Sequence, residues 1–324
     1  MTDPVTVRSK AMKNIRLLSC FIVCLFVFSS CAVVPTGEFP ADTGSAEKRK
    51  LVLWMLSDIQ PPTVPERVSF ERAIADVNTN VGQVDLGVMA GDLLKSRSQD
   101  EAFRWFLATR KRSKIKDWYE IAGNHDIRSG KLFWQYFLHP SYYAVEVGNL
   151  LFLLMSDESS DSKTDLSDAT FDWWRKMVIE NQDHIIITVT HAQLRHSGLL
   201  GSIVPSRVIA GSERFERVLK QYTVALWASG HVHLPQGLAE TVSIQKKFGD
   251  TFFINVSCIY EDTLMDSQSR FFYFKNGSDT VWIRSRNHTK ERFDTGLDIP
   301  IQLDRPFVWD GGESVFLPVR DSLN

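Results

Sequence analysis

Five times along this 324-residue chain a short, mostly apolar run stops at a polar side chain able to hold a cation, and longer amphipathic stretches lie between the runs. Leu51 to Leu56 ends at Ser57-Asp58, Leu86 to Ala90 at Gly91-Asp92, and Trp118 to Ala122 at Gly123-Asn124-His125-Asp126. Ile185 to Thr190 ends at His191, and Val224 to Ala228 leads into Ser229-Gly230-His231-Val232-His233. Apolar runs of this length bounded by turn residues are buried strands. Strands alternating with amphipathic helices, here Pro65 to Val77, Ser98 to Arg110 and Asp165 to Asn181, build a layered α/β domain. Tyr142 to Val147 and Leu150 to Met155 flank the turn signal Gly148-Asn149 as a hairpin. Phe252 to Val256, Phe271 to Phe274 and Val281 to Ile283 add strands, and the pattern weakens from about residue 288. Sites gather at the strand ends of α/β sheets, so the five polar endings mark one candidate site.

The N-terminal residues read differently. Lys10, Lys13 and Arg16 precede an apolar run from Leu17 to Phe28, which meets Ser29, Ser30 and Cys31. The run is shorter than the roughly 20 residues a membrane-spanning helix needs, and it has the form of an export signal. Phe28-Ser29-Ser30-Cys31 resembles the lipobox of bacterial lipoproteins. The resemblance implies cleavage before Cys31, lipidation of its sulfur, and anchoring to a membrane outside the cytoplasm, in the bacterial cell envelope. The expected division is a signal over 1–30, lipidated Cys31 and a flexible tether over 31–49, and one domain over 50–324, with its motifs in 51–233 and further strands and an extension in 234–324. Cys20 and Cys24 leave with such a signal, so Cys258 stands alone and no intramolecular disulfide forms. Removing residues 1–30 leaves 33 basic and 38 acidic residues. That balance gives no basic footprint for nucleic acid, while 44% hydrophobic and 11% aromatic content supplies a sizeable core.

Carboxylate, amide oxygen and imidazole together suit borderline divalent ions such as Mn, Fe or Zn better than an all-oxygen cage or a thiolate site would. Four of the eight histidines fall in the five endings. Taken in order, Asp58-Ile-Gln60, Gly91-Asp92, Gly123-Asn-His-Asp126, His191 and Gly230-His-Val-His233 resemble the motifs of the calcineurin-like metallophosphoesterase family: D-x-H, G-D, G-N-H-[ED], a lone His and G-H-x-H. The resemblance implies a four-layer α/β/β/α sandwich of two mixed sheets and two divalent metal ions. One ion is held by Asp58, Asp92 and His233; the other is held by Asp92, Asn124, His191 and His231. Asp92 is the bridge, because two carboxylate oxygens can serve two cations. The resemblance further implies that the substrate is a phosphate ester, mono- or diester, attacked by a hydroxide that the metals share, with His125 as general acid and Asp126 as its orienting partner.

The chain departs from the family pattern twice. Gln60 stands where a His ligand is expected, so the site of Asp58 and Gln60 favours oxygen-preferring Mn, and a non-catalytic lipoprotein binding module is the alternative reading. Lys95 stands where protein serine/threonine phosphatases carry a second Asp, which argues against that substrate class. Arg128, Arg195 and His196 lie near the motifs as charged loop residues. Trp173, Trp174, Cys258, His139, His184 and His288 have no motif context and take structural roles.

Overall fold

The computed structural model describes residues 36–40, 50–60, 68–137, 139–158, 164–261, 265–317 and 319. The expected signal 1–30 and Cys31 lie outside the described residues. Fifteen strands are described: β1 (Lys50–Leu56), β2 (Leu86–Ala90), β3 (Asp117–Ile121), β4 (Tyr142–Val147), β5 (Leu150–Met155), β6 (Ile185–Thr190), β7 (Leu226–Ser229), β8 (Val242–Ile244), β9 (Lys247–Asp250), β10 (Phe252–Asn255), β11 (Gln268–Lys275), β12 (Thr280–Asn287), β13 (Arg292–Phe293), β14 (Ile299–Gln302) and β15 (Val315–Leu317). The α-helices are α1 (Val68–Asp76), α2 (Asp100–Arg110), α3 (Asn124–Ile127), α4 (Lys131–Tyr136), α5 (Asp168–Glu180) and α6 (Glu213–Leu219).

Two mixed sheets face each other. The first runs β13-β12-β11-β1-β2-β3 with β14 also on β12, and the second runs β15-β4-β5-β6-β7-β10-β8. β1, β2 and β3 are parallel in one sheet, as are β5, β6, β7 and β10 in the other. Period-two alternation decides which side chain faces which layer. Leu51, Leu53 and Met55 of β1 join Phe152, Leu154, Ile187 and Val189 between the sheets. Val52, Trp54 and Leu56 face the other way, onto Phe70, Phe103 and Phe106 of α1 and α2. On the far side, Trp174 of α5 and Phe215 of α6 cover Leu151, Leu153, Ile186 and Trp227. The result is the expected α/β/β/α sandwich.

The buried indoles are anchored as well as packed. Trp54 Nε1 donates to Ser269 Oγ (2.7 Å), Trp174 Nε1 to Thr188 Oγ1 (3.0 Å) and Trp227 Nε1 to Thr190 Oγ1 (2.8 Å), so no indole N–H loses its hydrogen bond on burial. Cys258 is buried, with its Sγ 3.3 Å from Tyr260 O.

Two stretches differ from expectation. Within the expected tether, residues 36–40 are described and lie against the first sheet. Phe39 packs on Tyr273 (4.8 Å between centroids) and Trp282 (5.9 Å), the Arg284 guanidinium lies 4.4 Å from its ring, and Gly37 N donates to Asp298 O. An aromatic side chain there gains more by covering the sheet than a solvated linker residue does, about 2 kcal/mol for a fully buried ring. The weakly patterned C-terminal stretch yields edge strands on both sheets, β14 on β12 and β15 on β4. Edge strands pair on one side only, so short stretches containing Pro300 or charged neighbours suffice, and they leave a weak sequence signal.

Candidate metal centre

All five polar endings come together at the C-terminal ends of parallel strands. Asp58 follows β1, Asp92 follows β2, Asn124 follows β3, His191 follows β6, and His231 and His233 follow β7. Backbone bonds lock the endings to one another: Asp58 N donates to Gly91 O (3.0 Å), Ile59 N to Asp92 O (2.9 Å) and Gly230 N to His191 O (2.9 Å). Two motif glycines are required by this crowding. A Cβ on Gly123 would sit 2.2 Å from Asp92 Oδ1, and one on Gly230 would sit 2.1 Å from Ser57 Oγ and 2.6 Å from Asp58 Oδ2.

The backbone is bent hard to aim these side chains. Nine described non-glycine residues have positive φ, and five of them are Asp58 (53°), Gln60 (26°), Asp92 (54°), His231 (66°) and His233 (52°). Left-handed backbone costs on the order of 1–3 kcal/mol at a residue with a side chain, and such strain collects at functional sites.

The electrostatics of the site favour a cation. His191 Nδ1 donates to Ala90 O (2.8 Å), which leaves Nε2 with its lone pair facing Asp92 Oδ2 at 3.1 Å. Two acceptors at that separation need a positive charge between them. Neither His191 Nε2 nor Asn124 Oδ1 has a hydrogen-bond partner, although both are buried. Burial disfavours a charged His191, but Asp92 outweighs it and drives the imidazole well above its ordinary pKa. His233 Nε2 faces Asp58 Oδ1 at 3.0 Å in the same way. Burial opposes ionisation of Asp58, yet His233 holds its carboxyl well below the usual range, while Asp58 raises His233 against the effect of burial. His231 Nε2 donates to Ser206 O (3.1 Å), leaving Nδ1 free, and burial followed by His191 pushes its pKa down to about 4. Ligand atoms of Asp92, His191 and His231 lie within 4.8 Å of one another. Orphaned acceptors, mixed O and N donors, and protons recruited to imidazoles that face carboxylates fit divalent metal ions.

Gln60 and Asp126 sit differently from their expected roles. Gln60 Nε2 donates to Asp92 Oδ2, so the amide engages that carboxylate by its nitrogen; rotation of the amide by half a turn exchanges nitrogen for oxygen. Asp126 was expected to orient His125. Instead its carboxylate accepts from the backbone N–H groups of Leu94 (2.9 Å), Gly123 (2.9 Å) and Leu93 (3.1 Å), pinning the β2 and β3 endings together. Burial, then the Asp92 charge, pushes Asp126 up to about 7. The side chain that engages His125 is Ser96, whose Oγ lies 2.9 Å from Nδ1 and 3.5 Å from the Arg128 guanidinium. His125 N donates to Asp92 Oδ1 (2.8 Å), and burial lowers the imidazole pKa.

Sequence reasoning missed Asp157. It follows β5, its Oδ2 is buried without a partner, and burial pushes its pKa up to about 8, with His191 pulling the other way. The signal was present: Ser156-Asp157 is one more polar ending after an apolar run.

The calcineurin-like phosphoesterase family model matches residues 51–235. No curated protein matches the chain. Among solved structures, a purple acid phosphatase from yellow lupin (Lupinus luteus) seeds is similar at 13% identity and a TM-score of 0.58, over 79% of this chain and 54% of the lupin chain. The chain thus spans about half the length of that phosphatase. GAP50, the anchor in the inner membrane complex of Plasmodium, is similar at 13% identity and a TM-score of 0.53, over 81% of this chain and 91% of that one. At such identities the likeness is one of fold.

Proposed function

The chain belongs to the calcineurin-like phosphoesterase family, and from that premise we propose that it hydrolyses a phosphate ester at a two-metal centre. The observation that carries the reading is the approach of His191 Nε2 to Asp92 Oδ2, 3.1 Å apart with Nδ1 engaged by Ala90 O, beside the buried and unpartnered Asn124 Oδ1. Asp58, Asp92 and His233, with the Gln60 amide, would hold one ion; Asp92, Asn124, His191 and His231 would hold the other. Bound ions of this kind neutralise the phosphoryl oxygens and acidify a coordinated water.

The protein side chains supply the rest. Asp92 would serve both groups of ligands, with Oδ1 accepting from His125 N and Oδ2 facing Gln60 and His191. Ala90 O and Ser206 O fix the tautomers of His191 and His231, so each presents a defined nitrogen. His125, with Nδ1 on Ser96, hands a proton from Nε2 to the departing oxygen. Burial lowers its pKa, which makes the imidazolium a stronger acid, and the negative charge of a bound phosphoryl group favours reloading it with a proton. The Gln60 contact favours a second reading, a binding module, because a protein N–H already occupies an oxygen of Asp92.

From its sequence we also propose that Cys31 is lipidated and tethers the domain to a membrane of the bacterial envelope, with residues 1–30 removed. The test is turnover of a panel of phosphate mono- and diesters by the full chain in neutral detergent with Mn, Zn, Mg or Fe, beside metal content. Hydrolysis that follows metal occupancy supports the enzyme. Full occupancy with no turnover of any ester would leave the binding module.

A further inference from the structure

Large apolar side chains are scattered singly over most of this surface, which is ordinary. Eight described ones are exposed: Val68, Ile179, Val308 and Val315 lie on separate elements, whereas Leu200 (44%), Ile203 (64%), Val204 (41%) and Leu238 (40%) belong to two loops that meet beside the metal centre. Leu200 N donates to Glu240 O (2.9 Å), which joins the loops. Ser206, two residues after Val204, accepts from His231 Nε2. Gly201 closely approaches Val232, the residue between the two histidines of the Gly230-His-Val-His233 ending; a Cβ there would lie 3.3 Å from Val232 Cγ1. The patch is therefore fixed to the backbone that holds the candidate ligands. Two exposed cations, Arg195 and Arg207, lie in the same loop.

We propose that this rim recognises the hydrocarbon part of the substrate, and that the protein acts on amphiphilic phosphate esters, with the phosphoryl group at the metals and an alkyl chain across Leu200, Ile203, Val204 and Leu238. The proposal rests on the phosphoesterase reading and adds its substrate class. An apolar rim beside a charged centre is costly to leave in water, and it is complementary to a ligand that is anionic at one end and apolar at the other. Arg195 and Arg207 suit the anionic end. A lipid anchor at Cys31 would hold the site near a bilayer, where such esters concentrate.

The test compares two phosphonates, whose P–C bond is not hydrolysed, so that binding is read apart from turnover. The dissociation constants of methylphosphonate and octylphosphonate are measured on the full metal-loaded chain in neutral detergent, with octylphosphonate corrected for its partition into micelles. Rates on methyl and octyl phosphate are measured in parallel. Octylphosphonate is expected to bind at least about tenfold more tightly, since burying two methylene groups alone accounts for roughly that factor. Ile203→Ser with Leu238→Ser is expected to bring the ratio down several-fold, and Leu200→Ser alone to lower it less, with melting temperature as the check on folding. A wild-type ratio near one, or a ratio unmoved by these substitutions, overturns the apolar rim while leaving ester hydrolysis standing. If neither phosphonate binds and neither ester is cleaved, the phosphoesterase reading itself fails.

Discussion

Two buried ionic clusters in this molecule are built from the same side chains to opposite ends. In the first, Asp76 at the end of α1 accepts from Arg286 Nε (2.9 Å), from His288 Nδ1 (2.7 Å) and from Asn80 Nδ2 (2.9 Å), while His288 Nε2 meets Ser269 Oγ (2.7 Å), which also accepts from Trp54. None of the buried polar atoms of Asp76, Arg286, His288, Ser269 and Trp54 is left without a partner. In the second, Asp58, Asp92, His191, His231 and His233 stand with Asn124 Oδ1 and His191 Nε2 lacking a hydrogen-bond partner, and Asp58, Asp92, His231 and His233 are on left-handed backbone. A satisfied cluster completes the fold, whereas an unsatisfied one is shaped around something the chain does not supply. Buried charge is thus no mark of function by itself; the orphaned acceptors and the left-handed residues are.

The sharpest way to break the comparison is to neutralise one carboxylate in each cluster. Asp92→Asn is expected to lower turnover by more than about 100-fold, beyond the scale of losing a supporting residue, and to remove metal from both groups of ligands. The melting temperature of its metal-free form should fall by less than in the Asp76 variant, because His191 can shed a proton once Asp92 is neutral whereas Arg286 cannot. Asp76→Asn should do the reverse. It leaves Arg286 buried without its anion, a loss of about 3–5 kcal/mol, read as a drop in melting temperature on the order of 10 °C, with metal content retained. Equal thermal losses in both variants would show that the clusters do not differ in kind.

Smaller in effect is the substitution Gln60→His, which replaces an amide hydrogen bonded to Asp92 with an imidazole nitrogen. Affinity for Mn or Zn at the Asp58 site is expected to tighten by about 10–100-fold, measured by activity against free metal. An unchanged requirement would show that Gln60 is no handicap. Next comes His125→Ala, expected to keep metal content and to slow alkyl esters, whose leaving groups need a proton, more than aryl esters. Equal slowing of both classes would remove His125 from proton transfer.

The satisfied cluster has a pH signature of its own. Burial lowers the pKa of His288 in the folded state, so the unfolded chain takes up that proton first and stability falls as pH drops below about 6.5, the ordinary value. Burial opposes ionisation of Asp76, but His288 and Arg286 hold it well below the usual carboxylate range, so its contribution is present above about 3.9 and is lost only as pH falls further. Thermal melts of the wild type and His288→Gln between pH 7 and 5 should separate the two effects, with the loss in that window absent from the variant. A loss of the same size in both would assign it elsewhere.

Much of this contrast was legible in the sequence. The apolar runs fixed the parallel strands to within a residue or two, since burial on both faces leaves no freedom in pattern, while β11 begins three residues before and β12 ends four residues after the expected bounds; the polar endings named candidate positions that the sheets bring together. What escaped was set by tertiary context. Asp126 belongs to a motif, yet no spacing tells that its carboxylate caps three backbone N–H groups instead of reaching His125. Phe39 looked like part of a linker because its partners Tyr273 and Trp282 lie more than two hundred residues away. His288 was rightly read as structural, but its pairing with Asp76 spans 212 positions and has no local signature.

The most direct measurement is a calorimetric titration of the metal-depleted full chain with Mn in two buffers of different ionisation enthalpy, beside elemental analysis. Asp92 and Asp58 raise the pKa of the His191 and His233 imidazoles that face them, so uptake of two ions per chain between these pairs is expected to release protons. No metal uptake, or uptake that releases no proton and is unaffected by Asp92→Asn, would contradict a metal centre at the five strand endings.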